Sequence, residues 1–271
     1  MSQPSIPPEK AYSNDLFLNS KDARALRILA EYLEPRSRLE LNKVEDTVVF
    51  MGSARILSRE TAEASLKWAQ AGEGDVEHAQ RALRMSVYYE AARELAMRLT
   101  QWSKAIGPNG RRFVVCTGGG PGIMEAASRG ASEARGLNVG LGISLPVEQH
   151  DNTYISRELS FHFHYFFMRK FWFAYLAKAV ILFPGGFGTM DELFELLTLV
   201  QTKKMKKPMP ILLFGGEFWS EAINFDALVK HGTISARDVE LVHRTDSVDE
   251  AFTWITAQLQ AFAVGQPGAM L

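Results

Sequence analysis

The chain has 271 residues, 46% hydrophobic and 23% charged, enough for one large α/β core or two small ones. A net charge of −1 excludes a broad electrostatic surface for nucleic acid or an anionic membrane, while leaving room for a local anion pocket. The single cysteine, Cys116, excludes an intramolecular disulfide framework.

The opening MSQPSIPPEK lacks the apolar core of a signal peptide, so a cytoplasmic location is expected. Residues 1–46 read as an N-terminal extension, polar and proline-bearing to about residue 20, then one helix over 22–33 that ends at Pro35. The first strand is 47–52, and it runs into Ser53. Helical stretches at 60–71 and about 76–104 follow, separated by the breaker GEGD. A strand at 113–116 leads to Gly118, Gly119, Gly120 and Gly122 and a helix to about Glu133. GLNVGLGISL is a further strand, and the loop PVEQHDNTY leads to an alternating aromatic stretch over 160–167. The greasy stretch 161–183 is broken by His162, His164, Arg169, Lys170 and Lys178, so it reads as buried globular structure and no membrane is expected. It divides into a helix over about 169–178 and a strand over 179–183. After a helix ending in KKMKKP come the strand MPILLFGG, a mostly helical 217–231, the strand VELVHRT and a closing helix over 248–262. The main domain is thus 47–262, with 263–271 as a tail.

Strands alternating with helices predict a Rossmann-like, doubly wound parallel sheet with helices on both faces. Ligands in such sheets bind at the carboxyl ends of the strands, where strand order reverses. Three strands end in glycine or small-residue turns: Gly52-Ser53, Gly118 to Gly122, and Gly185-Gly186-Phe187-Gly188 with Thr189. Their convergence predicts a phosphate-bearing ligand, cradled by backbone amides at a helix N-terminus near Met190. A plainer reading of Thr189 and Glu192 is a capping box closing that helix. A helix preceding a strand runs antiparallel to it, which brings Arg169 and Glu192 to the same edge although they are 23 positions apart.

Other features have ordinary explanations. Cys116 reads as a small buried strand residue. His162 and His164 share a strand face but lack a third ligand, so no metal is expected. Lys203, Lys204, Lys206 and Lys207 complement the negative end of the helix they close. The dinucleotide pattern fails at Ile123 and no acid follows to hold a ribose, which disfavours NAD, and the Walker sequence is absent.

Together PGGFGTMDE, FFMRK and GGGPGIMEAASRGA closely resemble the Lonely Guy family of nucleoside 5'-monophosphate phosphoribohydrolases, often labelled lysine decarboxylase-like. GSAR and LPVEQHDNTY look like its longer, bacterial branch. The resemblance spans about residues 47–215. It implies a dimeric enzyme that cleaves the N-glycosidic bond of AMP or a cytokinin riboside monophosphate without a cofactor. Arg169 and Glu192 are the catalytic pair it implies. Gly119, Gly120, Gly186, Gly188 and Thr189 would line the phosphate site, with Lys170, Gly52, Ser53, Gly118, Gly122 and Gly185 beside them. Arg169 would orient the carboxylate or assist the departing base. Asp191 stands where the family carries a longer acid. A decarboxylase would need a pyridoxal-bearing lysine with its partners, a pattern Lys170 lacks. The alternative function is a non-catalytic carrier of a phosphorylated nucleotide or molybdenum-type cofactor, which needs the cradle but no carboxylate. Aromatic residues over 161–175 exceed what one strand and helix bury, which predicts a partner subunit on some of them.

Overall fold

The computed structural model describes residues 9–106, 111–144 and 152–268. Most of the loop at 145–154 therefore lies outside the described residues. In chain order the strands are β1 (Thr47–Met51), β2 (Val114–Thr117), β3 (Asn138–Ile143), β4 (Ser160–Phe163), β5 (Ala177–Leu182), β6 (Ile211–Phe214) and β7 (Val242–Thr245). The helices are α1 (Asp15–Leu18), α2 (Arg24–Leu41), α3 (Arg59–Trp68), α4 (Val76–Ile106), α5 (Ile123–Glu133), α6 (Phe166–Leu176), α7 (Phe187–Gln201), α8 (Gly216–Ala222), α9 (Phe225–Lys230) and α10 (Val248–Phe262).

All seven strands pair parallel in the order β4-β3-β2-β1-β5-β6-β7. The chain winds outward from β1 to β4, then returns to the centre for β5 and winds the other way. Strand order therefore reverses between β1 and β5, and the crevice of a doubly wound sheet opens there.

The alternation along β1 shows why the sheet is covered on both faces. Val49 and Met51 belong to one apolar cluster, with Trp172 and Phe173 of α6 and Leu193 and Leu196 of α7. Val48 and Phe50 belong to the other, with Leu95 and Leu99 of α4, Ala126 and Ala127 of α5, and Ile255 of α10. Successive side chains point to opposite faces, so a strand apolar at every position needs a helix layer on each side. Each large side chain so buried stabilises the fold by roughly 1.5–3 kcal/mol.

Four boundaries differ from the sequence reading for local reasons. The extension helix runs through Pro35 to Leu41 instead of stopping. Pro35 lacks the N–H that would serve the carbonyl of Glu31, and the indole Nε1 of Trp172 donates to that oxygen instead, at 2.9 Å. α6 begins at Phe166, so Arg169 sits one turn inside it and Lys178 lies in β5. α7 begins at Phe187 with Gly186 as its N-cap residue, because the glycine turn itself enters the helix. Between α3 and α4 the chain makes a short π-turn over Ala69–Glu73, broken where Gly72 takes φ 95°.

Candidate active site

At the carboxyl edge, above the junction of β1 and β5, lies a cleft of about 580 Å³. Gly52 and Ser53 line it from β1, Gly118 from β2, and Gly186, Gly188 and Thr189 from the turn after β5. Arg169 and Glu192 line it from α6 and α7. The three turns expected to converge do so.

The cradle follows from the turn geometry. The first three amides of α7, on Phe187, Gly188 and Thr189, donate to no group among the described residues, and Met190 N–H is the first to bond, to Gly186 O at 3.0 Å. A Cβ on Gly186 or Gly188 would meet no atom within 4 Å. These glycines therefore face open space, and their bare backbone admits an anion to the positive end of α7. Gly122 serves differently. At φ 70° it lets α5 close on β1, where Ile123 N–H donates to Ser53 O at 3.1 Å, and a Cβ there would overlap that same carbonyl. Gly119, Gly120, Gly122 and Gly185 lie in the same turns but are not among the residues that line the cleft.

Glu192 does not form a capping box. With α7 starting at Phe187 it sits in the second turn, where its Oε1 accepts a hydrogen bond from Arg169 Nη2 at 3.1 Å. Both side chains are nearly buried, at 12% and 10% exposure. Burial holds the Glu192 carboxyl above the ordinary glutamate range, with Arg169 opposing and nearby Asp191 adding to the rise. The guanidinium is lowered by the same burial and stays charged. It faces the rings of Phe166 and Phe173, at 5.1 and 5.6 Å from the centroids, and its Nε has no partner among the described residues. The arrangement is a carboxylate of raised basicity, fixed beside an anion cradle.

Lys170 is not among the residues that line the cleft: its Nζ pairs with Asp191 at 2.6 Å and Glu195 at 3.1 Å, next to Glu192. A Schiff-base lysine needs a free neutral amine, and those two hydrogen bonds outweigh burial to keep this one charged. Arg55 is the cation that sequence reasoning missed. It lines the cleft from the turn after β1, and no carboxylate among the described residues pairs with it. Its signal was the small-residue turn GSAR itself.

Elsewhere Cys116 is buried and its thiol is pushed up by burial, as suits a core residue. His162 lies exposed on β4, the edge strand farthest from β5 on its side of the sheet. Lys207 is buried and donates to the carbonyls of Ala174 and Tyr175, capping α6 and not the helix it follows. Most of the aromatic stretch is intrachain core, but Phe166 and Phe167 remain half-exposed. No described helix is long and apolar enough to cross a membrane.

Residues 124–255 match the family model described as "Possible lysine decarboxylase". The chain is 35% identical over 101 residues to a cytokinin riboside 5'-monophosphate phosphoribohydrolase of Arabidopsis thaliana, covering 34% of this chain and 46% of that one. It is 29% identical over 145 residues to a probable enzyme of the same name from Oryza sativa subsp. japonica, covering 53% and 62%. The chain thus spans about half the length of these curated relatives. A molybdenum-cofactor carrier protein of Chlamydomonas reinhardtii superimposes with a TM-score of 0.44 at 18% identity, covering 80% of this chain and 99% of that one. At that score the likeness decides nothing between hydrolase and carrier. Arg169, the glycine turn and Glu192 fall inside the 124–255 match, and over part of its length the chain is similar to the Lonely Guy cytokinin riboside 5'-monophosphate phosphoribohydrolases.

Proposed function

We propose that the chain hydrolyses the N-glycosidic bond of a nucleoside 5'-monophosphate, AMP or a cytokinin riboside monophosphate, to free base and ribose 5-phosphate. One observation carries this reading: the buried Arg169–Glu192 pair stands in the same cleft as the open amides of α7. The phosphate seats on those amides, and Arg55 balances its second charge. The ribose then lies between cradle and carboxylate.

As the bond from C1' to the base nitrogen breaks, its electron pair leaves with the base and positive charge develops on the ribose. Glu192 stabilises that charge and takes a proton from the water whose oxygen bonds to C1'. The departing nitrogen takes up a proton, so one water is consumed per bond broken. Arg169 keeps the carboxylate oriented and ionised. The burial that raises Glu192 makes it the stronger base once Arg169 holds it charged.

A second copy of the chain is the partner we assign to the exposed rings of Phe166, Phe167, Phe187 and Phe194 on α6 and α7. The function is tested by incubating the purified protein with a panel of nucleoside monophosphates and their nucleosides and measuring free base. Adenine is expected from AMP, and adenosine is expected to lose about a hundredfold or more in kcat/KM for want of the phosphate's binding energy. Equal turnover of adenosine contradicts the cradle. Tight binding of AMP that is recovered intact favours the non-catalytic carrier.

A further inference from the structure

We infer that Glu31, in the N-terminal extension, is a positioning residue that fixes the start of α6 and through it the reach of Arg169 to Glu192. This rests on the proposed function only in taking that pair as catalytic.

α6 has no side-chain cap from its own sequence. The Glu31 carboxylate, 133 positions from His164, holds the two residues that lead into the helix, accepting the N–H of His164 at 2.7 Å and of Tyr165 at 3.2 Å. A carboxylate there also faces the positive end of the helix. The backbone oxygen of the same residue accepts the Trp172 indole N–H at 2.9 Å, the bond made available by Pro35. One residue of α2 therefore holds the chain just before α6 and the helix itself near its middle.

The path to the site is short. Tyr165 N–H donates to Glu31, and Tyr165 O accepts the N–H of Arg169 at 3.2 Å. Arg169 stands one helical turn above the clamp. Among the described residues its Nε has no partner, so its aim depends on where α6 places it and on its bond to Glu192. A displacement on the order of 1 Å in such a group costs on the order of a hundredfold in rate. Arg24, over the Tyr165 ring, and Arg38 are the cations α2 presents toward this region. The charged groups facing Glu192 are Arg169 and Lys170 from α6 and Asp191 from its own helix.

The test compares Glu31→Ala, Glu31→Gln and Arg38→Ala in the full chain, by AMP kinetics and by NMR titration of the carbon-13-labelled Glu192 carboxyl. Arg38 donates to the carbonyls of Glu158 and Ser160, so its loss loosens α2 without touching α6. Glu31→Ala is expected to lower kcat about tenfold or more with KM within about threefold, and to move the Glu192 titration to higher pH as the guanidinium withdraws. Glu31→Gln, which keeps one acceptor oxygen, is expected to fall between wild type and Glu31→Ala in both readings. Arg38→Ala should lower Tm and leave the titration in place. A wild-type titration and kcat in Glu31→Ala overturn the proposal, as does an equal displacement in Arg38→Ala. If Glu31→Ala does not fold, Glu31→Gln behaving as wild type overturns it. A wild-type protein that releases no base from any monophosphate defeats the proposed function, and the titration still decides the clamp.

Discussion

The two edges of the sheet treat helix ends in opposite ways. At the amino edge, where helices finish, cations from neighbouring elements take up their last carbonyls. Lys104 donates to Ala134 and Arg135 after α5, Lys207 to Ala174 and Tyr175 in α6, and Arg111 to Asn42 after α2. Arg112 reaches Ala263 and Val264, and Lys178 reaches Gln266, both just beyond α10. Burial is deep enough there to bring the Lys207 ammonium down to about 7. At the carboxyl edge, Ser58 and Ser247 cap α3 and α10 and Glu31 serves α6, but the first amides of α7 stay open. Helix ends satisfied within the chain hold the fold together, and of the α5 and α7 starts, which have no side-chain cap, the one beside the buried Glu192 carboxylate is where a ligand completes the bonding.

This division predicts that changes at the amino edge alter stability and changes at the carboxyl edge alter chemistry. The largest expected effect is on stability. Arg112 pairs with the fully buried Asp46 at 2.7 Å, and Arg112→Ala leaves that charge without its paired cation, hydrogen-bonded among the described residues only by the Phe113 N–H at 2.6 Å. A loss of about 3–5 kcal/mol in denaturant unfolding is expected, with kcat per folded molecule unchanged. A stable Arg112→Ala protein with impaired turnover would break the comparison.

Next is Glu192→Gln, which removes the charge needed in the transition state and little ground-state contact. A fall in kcat of about a hundredfold or more, with AMP affinity within about tenfold, is expected from steady-state kinetics and calorimetry. The wild-type pH profile sharpens the point. A base must be ionised to act, and Glu192 is raised by burial, so kcat should fall with decreasing pH before an ordinary exposed glutamate would titrate. Near-normal turnover in the glutamine variant removes Glu192 from the reaction.

The smallest expected effect on stability has the opposite sign. Gly188 lies in the first turn of α7 with open space where a Cβ would be. Gly188→Ala should stabilise the protein by about 0.5–1 kcal/mol through helix propensity, while its methyl group obstructs the cradle and weakens AMP binding. Thermal melts and AMP titrations on one preparation check both signs. A variant that is stabilised and binds AMP as the wild type does would place the phosphate elsewhere.

The carboxyl edge was the more legible in the sequence. Gly52-Ser53, the glycines of 118–122 and those of 185–188 follow apolar strands, and strand order alone brings them together. The pairing of Arg169 with Glu192 followed from the antiparallel sense of helix and strand. What escaped depends on contacts between residues far apart in the chain. The helix through Pro35 is rescued by Trp172, and the residues leading into α6 are held by Glu31. Lys207 crosses to α6 instead of closing α7, and Lys170 pairs with Asp191 and Glu195. Each is a hydrogen bond to a partner that local spacing does not reveal.

The central claim is that the cleft breaks the glycosidic bond of the nucleotide it binds. A single-turnover experiment tests it most directly: protein in excess over AMP, quenched by acid over time, with adenine, ribose 5-phosphate and AMP quantified. The account predicts that adenine and ribose 5-phosphate appear one for one as AMP disappears, and that Glu192→Gln retains AMP intact over the same interval. AMP bound by the wild type and recovered whole would contradict it.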